Sequence, residues 1–299
     1  MIKVIDFTNC PRTNKGYNGA NGEKISVIYN GERYMLKFSS VPKINKDMNY
    51  TNACISEYIG SHILSMLNLP VQETLLGIYK VNEKDKLVVA CKDFAKDGFV
   101  IQDFASLKNQ IIDSIRKGNG TDIDSILETI DKQTIVDSKI LRELFFDTFI
   151  ADAFVGNWDR HNGNWGFLYN VLDDSIKLAP LWDLGSSLYP GADENIMKSV
   201  FEDKNELNKR IYSIPTSAIT YEGKRINYFD FLSSGKYKDC TNSLIKITKR
   251  IDLEKINNFI DNIEEITSLQ KEFYKFMLRQ RKEKILDEAL KILEEKDMI

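Results

Sequence analysis

The sequence predicts an α+β fold in which a small antiparallel sheet carrying one helix precedes a larger, mainly helical part. Three features predict it. Early in the chain, β-branched and aromatic runs such as KISVIYN (24–30) and RYMLKF (33–38) flank a turn at Gly31-Glu32, a hairpin signal. One helical pattern, NACISEYIGSHILSML (52–67), interrupts these strands and stops just before Pro70. From about residue 104 the periodicity turns helical for most of the remaining chain.

The elements follow in order. Gly16, Gly19 and Gly22 make a flexible approach to the first hairpin, and two further strands, near 71–80 and 86–91, complete the sheet. Helices are expected at 104–116, 122–131 and 138–155; in the last, LRELFFDTFIADAFV is apolar around most of its circumference and belongs at the centre of a core. A loop rich in Gly and Asn leads to a short strand WGFLY, a turn at Asp173-Asp174 and a second strand SIKLAPLW, with helical segments beyond. The stretch 267–294 reads as a long amphipathic helix through Phe273, Phe276, Met277, Ile285, Leu286 and Leu290. No internal repeat interrupts this order.

Composition narrows the function. With 299 residues, 42% of them hydrophobic, the chain can bury a large core as one domain or two intimate lobes. A net charge of -3 and a pI near 5.7 argue against broad binding to a nucleic-acid backbone. Cys10, Cys54, Cys91 and Cys240 have no CxxC spacing, so reduced thiols and a cytoplasmic location are expected. The N-terminus shows no charged-then-apolar leader pattern and no apolar run is long enough for a transmembrane segment. Two histidines, His62 and His161, are too few for a histidine-rich metal site.

The chemistry concentrates in GNWDRHNGNWGFLY and APLWDLGSS. Asp159 is followed by Asn164 five positions on and by Asp183 twenty-four positions on, all beside Gly-rich turns. Phosphoryl transfer needs this kit: one carboxylate to orient an attacking hydroxyl, and an amide oxygen with a second carboxylate to hold magnesium on phosphates. By itself the Asp-Arg-His cluster is equally well read as a capped turn; Asn164, Asp183 and the upstream Lys37 together favour the catalytic reading. His161 reads as an orienter of the loop through hydrogen bonds.

DRHNGN with WDLGSS resembles the HipA-like kinases, in particular their short forms, which KISVIYNGERYMLKF, SEYIG, VQETLLGIY, VVACKDF and INYFDFL also resemble. The resemblance runs nearly end to end. It implies a two-lobed protein-kinase-like fold, with residues 1–94 as the nucleotide-binding lobe and 95–299 as the catalytic lobe. It implies ATP and Mg2+, Asp159 as base, Asn164 and Asp183 as metal ligands, Lys37 on the α- and β-phosphates, and Glu57 as its partner. Gly19, Gly22 and Lys24 of GYNGANGEK would cover the phosphates, and backbone groups of Cys91, Lys92 and Asp93 would face adenine. HipA itself carries a serine just before that loop whose autophosphorylation inactivates it; Gly16 and Tyr17 stand there here, so self-inactivation by that route is not expected. Because the loop begins near residue 16, no extra N-terminal subdomain is expected.

The implied activity is transfer of the γ-phosphate to a protein serine or threonine, with autophosphorylation. An antitoxin is an implied partner, direct nucleic-acid contact is not, and delivery to a host cell is an implied alternative to a cytoplasmic role. Two rival functions remain: a phosphoinositide or small-molecule kinase using the same DRHxxN loop, and a non-enzymatic binding subunit of a toxin–antitoxin pair.

Overall fold

The computed structural model describes residues 4–17, 23–39, 51–112 and 117–299. Its first lobe is a six-stranded sheet of β1 (Ile5–Asp6), β2 (Arg12–Thr13), β3 (Lys24–Tyr29), β4 (Glu32–Phe38), β5 (Thr74–Val81) and β6 (Lys84–Lys92), with α1 (Ala53–Met66) between β4 and β5. The strand order is β1-β5-β6-β4-β3-β2. The β3–β4 turn is Asn30-Gly31, both at positive φ (49° and 78°), which suits the two-residue hairpin turn that matches strand twist. It lies one residue before the expected Gly31-Glu32 turn, because Glu32 already pairs with Tyr29. The register sets Lys37 opposite Lys24 on one side and Val89 on the other.

The sheet is not wholly antiparallel as expected: β1 runs parallel to β5, with Ile5 opposite Gly77. Two-residue strands such as β1 and β2 carry too little alternation to be read from sequence. Gly77 makes the pairing possible, since a Cβ there would lie 2.4 Å from both the Ile5 carbonyl oxygen and the Phe7 ring. Phe7 is fully buried with Val27, Tyr34, Leu36, Val88 and Ala90 on this face.

On the opposite face, α1 is buried throughout Cys54 to Ser61. One side of it meets the sheet; the other belongs to the helical lobe. A continuous apolar cluster runs from Leu76 and Val89 through Ile59 and Ile63 to the centre of that lobe. Asn52, at the start of α1, donates through its amide to the Pro190 carbonyl (3.1 Å) and through Nδ2 to the Ala192 carbonyl (2.9 Å). At the other end Arg250 Nη1 donates to the Leu67 carbonyl (3.1 Å), and midway His62 stacks on Phe259 with ring centroids 4.8 Å apart.

The second lobe begins with β7 (Phe99–Asp103), α2 (Phe104–Ile111), α3 (Ile123–Lys132) and α4 (Ser138–Val155), then β8 (Gly166–Asn170) and β9 (Ile176–Leu178). It continues through α5 (Glu194–Glu202), α6 (Lys204–Asn208), the ribbon β10 (Thr220–Tyr221) and β11 (Lys224–Arg225), α7 (Tyr228–Ser234), α8 (Lys238–Arg250), α9 (Leu253–Asp261), α10 (Ser268–Arg281) and α11 (Glu288–Glu295). The expected central helix is α4, buried almost without interruption from Leu144 to Val155 and closed by Gly156 at φ 66°. The strand expected over SIKLAPLW is only the three residues of β9, and β7, β10 and β11 were not anticipated. The expected C-terminal amphipathic helix is α10 and α11 joined by a π-helical turn over Lys282–Asp287. Just before that turn the buried Arg281 donates from Nε and Nη2 to the Ala153 carbonyl (2.9 and 2.7 Å), placing a cation at the C-terminal end of α4. Among the described residues no helix is long and apolar enough to cross a membrane.

Replacing Gly77 by alanine is expected to force β1 and Phe7 off β5 at a cost of about 1–3 kcal/mol. A lowered urea midpoint with an unchanged transition slope is the readout; an unchanged midpoint would show that the close approach is not needed.

Candidate active site

Three carboxylates and one lysine organise the cleft between the lobes. Lys37 projects from β4, Glu57 from α1, and Asp183 from the turn beyond β9. Lys37 Nζ donates to Glu57 Oε2 at 2.8 Å and to Asp183 Oδ1 at 2.9 Å. Burial alone would lower the lysine pKa, but the Glu57 and Asp183 charges outweigh it and hold the ammonium well above its ordinary value. The Lys37 charge in turn holds Asp183 below the usual carboxylate range against the opposing effect of burial. Asp183 sits at φ 62°, a left-handed conformation that costs a non-glycine residue energy and is found where a side chain must be aimed. Its surroundings are fitted closely: a Cβ on Gly185 would lie 3.2 Å from Glu57 Oε2, and one on Gly60 would lie 3.2 Å from Leu184 Cβ.

The DRHNGN loop is held by a buried ion pair. Arg160 Nε donates to Asp152 Oδ2 at 3.0 Å, with both side chains almost fully buried. Arg160 Nη1 also reaches the carbonyls of Asn164 (2.8 Å) and Trp182 (2.6 Å), so one guanidinium ties α4, the Asp159 loop and the residue before Asp183. Burial raises the Asp152 pKa although Arg160 and Asn157 oppose it. Asn157 Nδ2 donates to Asp152 Oδ1 (2.8 Å), Asn157 Oδ1 accepts the Asp159 amide (3.2 Å), and Tyr228 donates its hydroxyl to the Asn157 carbonyl (2.5 Å). Asn164 Nδ2 donates to the Asp159 carbonyl (2.8 Å).

His161, expected to orient this loop, bonds it only locally, and the bonds that tie the loop to the rest of the lobe come from Arg160. His161 is exposed and its Nδ1 accepts only the Gly163 amide, two residues away. The sequence held a signal for the true arrangement: Asp152 interrupts the apolar run of α4, and a buried carboxylate demands a cation. Asp159 itself is half-buried, and its pKa is raised by burial and by Asp183, with His161, Arg225 and Arg160 opposing.

The cleft has a volume of about 800 Å3, within the range of small-molecule sites, and Lys24, Lys37, Glu57, Cys91, Asp93, Asp159, Asn164 and Asp183 line it. Burial lowers the Lys24 pKa, with Lys37 adding to the effect. Gly19 and Gly22 lie outside the described residues. Lys92 does not line the cleft; its ammonium pairs with Glu73 (3.2 Å) and Glu32 (3.8 Å). The Lys92 and Asp93 amides donate to the Glu73 (2.9 Å) and Arg33 (2.8 Å) carbonyls, so the expected adenine-facing backbone has neither amide to offer. Asp93 is drawn toward the N-terminal segment by Lys15 (2.6 Å) and the Tyr17 hydroxyl (3.2 Å), contacts that sequence reasoning missed. Phe94 and Trp182, with ring centroids 5.9 Å apart, supply an aromatic wall that was missed as well.

The oxygens fit magnesium. Asn164 spends Nδ2 on the loop and keeps Oδ1, while Asp183 spends Oδ1 on Lys37 and keeps Oδ2. Among the described residues no group of three or more His, Cys, Asp or Glu is gathered for a metal. A sparse oxygen pair suits a cation that takes its other ligands from phosphates and water.

Comparison with known proteins gives the lineage. Residues 18–270 match the HipA-like C-terminal domain. The chain belongs to this family. It is 47% identical over 290 residues to the serine/threonine-protein kinase CtkA of Helicobacter pylori strain J99, spanning 96% of this chain and 88% of that protein. The crystal structure of a Helicobacter pylori proinflammatory kinase CtkA superposes with a TM-score of 0.91 at 46% identity, covering 98% of each chain. HipA of Shewanella oneidensis MR-1, solved with HipB and operator DNA, matches with a TM-score of 0.59 at 14% identity over 94% of this chain and 68% of that one, a likeness of fold alone. The two-lobed, kinase-like α+β architecture expected from sequence is therefore the architecture of a HipA-like chain, and the family match spans both DRHNGN and WDLGSS.

The Arg160–Asp152 pair predicts a stability defect. Arg160→Met would strand a buried carboxylate and is expected to cost about 3–5 kcal/mol, measured by urea unfolding at neutral pH. Restoration of most of that loss in Arg160→Met with Asp152→Leu would identify the stranded charge as the cause.

Proposed function

We propose that the protein is an ATP-dependent serine/threonine protein kinase that also phosphorylates itself. The observation that carries this reading is the Lys37 ammonium bridging Glu57 and Asp183 (2.8 and 2.9 Å) in the cleft that Asp159 and Asn164 also line. The 47% identity to a protein named as a serine/threonine kinase supports the class. In this reading residues 1–94 hold the nucleotide and 95–299 carry the catalytic loop, the break falling just after Phe94.

Lys37, fixed by Glu57, binds the α- and β-phosphates. Asn164 Oδ1 and Asp183 Oδ2 would hold Mg2+, which would neutralise charge on the phosphates. Asp159 orients the acceptor hydroxyl and takes its proton, and the rigid Arg160 frame keeps the loop from shifting as that happens. The intact set of ligands supports an enzyme over a binding subunit. Among the described residues no basic amphipathic helix supports a lipid acceptor. An antitoxin partner would rest on a fold likeness at 14% identity and forms no part of the reading. The four cysteines are free, which agrees with a cytoplasmic location.

Asp159→Ala is expected to lower transfer of labelled phosphate from ATP to casein by about 10²–10⁴-fold with the fold intact, and Glu57→Ala to be milder than Lys37→Ala. Near-wild-type turnover in folded Asp159→Ala would remove the assignment.

The raised Asp159 pKa fixes the sign of the pH dependence. The deprotonated base is lost as pH falls through a value above the ordinary carboxylate range, so the acid limb of kcat lies there. A limb at or below the ordinary value would argue for another base.

Asn164→Ala and Asp183→Ala are each expected to raise the magnesium needed to bind a non-hydrolysable ATP analogue in calorimetry. The double variant should lose less than the product of the two, because the ion is already misplaced after one change. Undiminished magnesium dependence in the double variant would exclude these ligands.

A further inference from the structure

The three-stranded sheet of the helical lobe has the order β7-β8-β9, which leaves one edge of β7 unpaired among the described residues. The hydrogen-bond parity of that edge follows from its ends. The Val171 amide donates to the Gly98 carbonyl and the Phe104 amide to the Trp165 carbonyl, both at 2.9 Å, in the same register that sets Ile101 opposite Leu168. Even-numbered positions of β7 therefore bond to β8, and odd-numbered ones turn their N–H and C=O away from it. Phe99 confirms the parity, because its amide donates to the Lys96 carbonyl (3.0 Å). The Asp103 side chain is engaged as the cap of α2, accepting the Ser106 amide (2.8 Å). Ile101 presents an outward N–H and C=O that have no partner among the described residues.

This edge is apolar and belongs to the catalytic cleft. Val100 and Ile101 are 45% and 48% exposed, and both line the cleft shared by Asp159, His161 and Gly163. The far end of β7 is fastened to the DRHNGN loop, since the Ala105 amide donates to the Asn162 carbonyl (3.0 Å). Ile101 stands only about 7 Å of strand before Asp103.

We infer that the Ile101 edge of β7 docks the protein substrate as an added β-strand, pairing an extended segment beside Val100 and Ile101 so that its serine or threonine reaches Asp159. The inference rests on the kinase reading. The occupant is an extended peptide because an unpaired N–H and C=O on one residue of an edge strand are satisfied together by a neighbouring strand. Its continuity with the Asp159 cleft makes that strand the substrate. An apolar side chain in the segment would lie against Val100 or Ile101.

The edge allows a selective test. Because the Ile101 N–H faces outward, Ile101→Pro removes the docking donor without breaking a ladder bond, a setting in which an edge strand tolerates proline. Ile101→Thr keeps the N–H and the β-branch. With dephosphorylated β-casein as substrate, Ile101→Pro is expected to raise the KM for casein about tenfold or more, with the KM for ATP nearly unchanged and Ile101→Thr close to wild type. In wild type, hydrogen exchange at the Ile101 amide should slow when casein is added with a non-hydrolysable ATP analogue, a measurement that holds even if the proline variant fails to fold. An unchanged casein KM in folded Ile101→Pro, or an Ile101 amide unprotected by casein, overturns the docking assignment alone. Protection that rises with protein concentration before casein is added gives the edge to a second copy of the chain and overturns it too. A wild type that binds no ATP overturns the kinase reading and this inference with it.

Discussion

The Lys37 ammonium is the point on which the two lobes converge. Its partners come from α1 and from the turn after β9, 20 and 146 residues away in sequence. The Glu57 carboxylate by itself would be unfavourable in its buried position, and burial would draw the lysine pKa down without the two carboxylates. Together they keep the cation charged and draw the sheet, α1 and the Asp183 turn to one place. The left-handed backbone at Asp183 and the close fit of Gly185 to Glu57 follow from that constraint.

The helix that supplies Glu57 is held on both sides. Asn52 and Arg250 bond its two ends to the helical lobe, and the His62–Phe259 stack joins its middle to α9. Burial of α1 across both faces makes the two lobes share one core. Moving Glu57 away from Lys37 would then require unpacking that core as well as breaking the ion pair. The Lys37–Glu57 geometry is thus built into the packing.

Across the cleft, Arg160 plays the corresponding part for the DRHNGN loop. Its planar guanidinium serves a carboxylate and two carbonyls at once, a geometry that lysine cannot reproduce. With Arg281 on the last turn of α4, two buried cations sit where that helix ends and the loop begins. Arg160 holds the Asp159 loop from behind, while Arg281 caps the carbonyl of Ala153, and the Asp159 side chain lines the cleft.

The sequence by itself determined the α+β class, the main strands of the first lobe, α1, α4 and the long C-terminal helix, because these are written as local periodicity and turn chemistry. It also singled out Asp159, Asn164 and Asp183 by residue type and spacing, while Lys37 and Glu57 came forward through the resemblance to the HipA-like kinases. Only the tertiary structure decided which partners hold those residues. Arg160 is the loop's long-range anchor because burial makes a guanidinium facing Asp152 indispensable, while the exposed His161 bonds only the nearby Gly163 amide. Strand parity turns the Lys92 side chain toward Glu73 and Glu32, and strand pairing commits the Lys92 and Asp93 amides to the Glu73 and Arg33 carbonyls. The short strands β1, β2 and β7 escaped notice for the same reason: a strand of a few residues is specified by the neighbour it bonds, and that neighbour is distant in sequence.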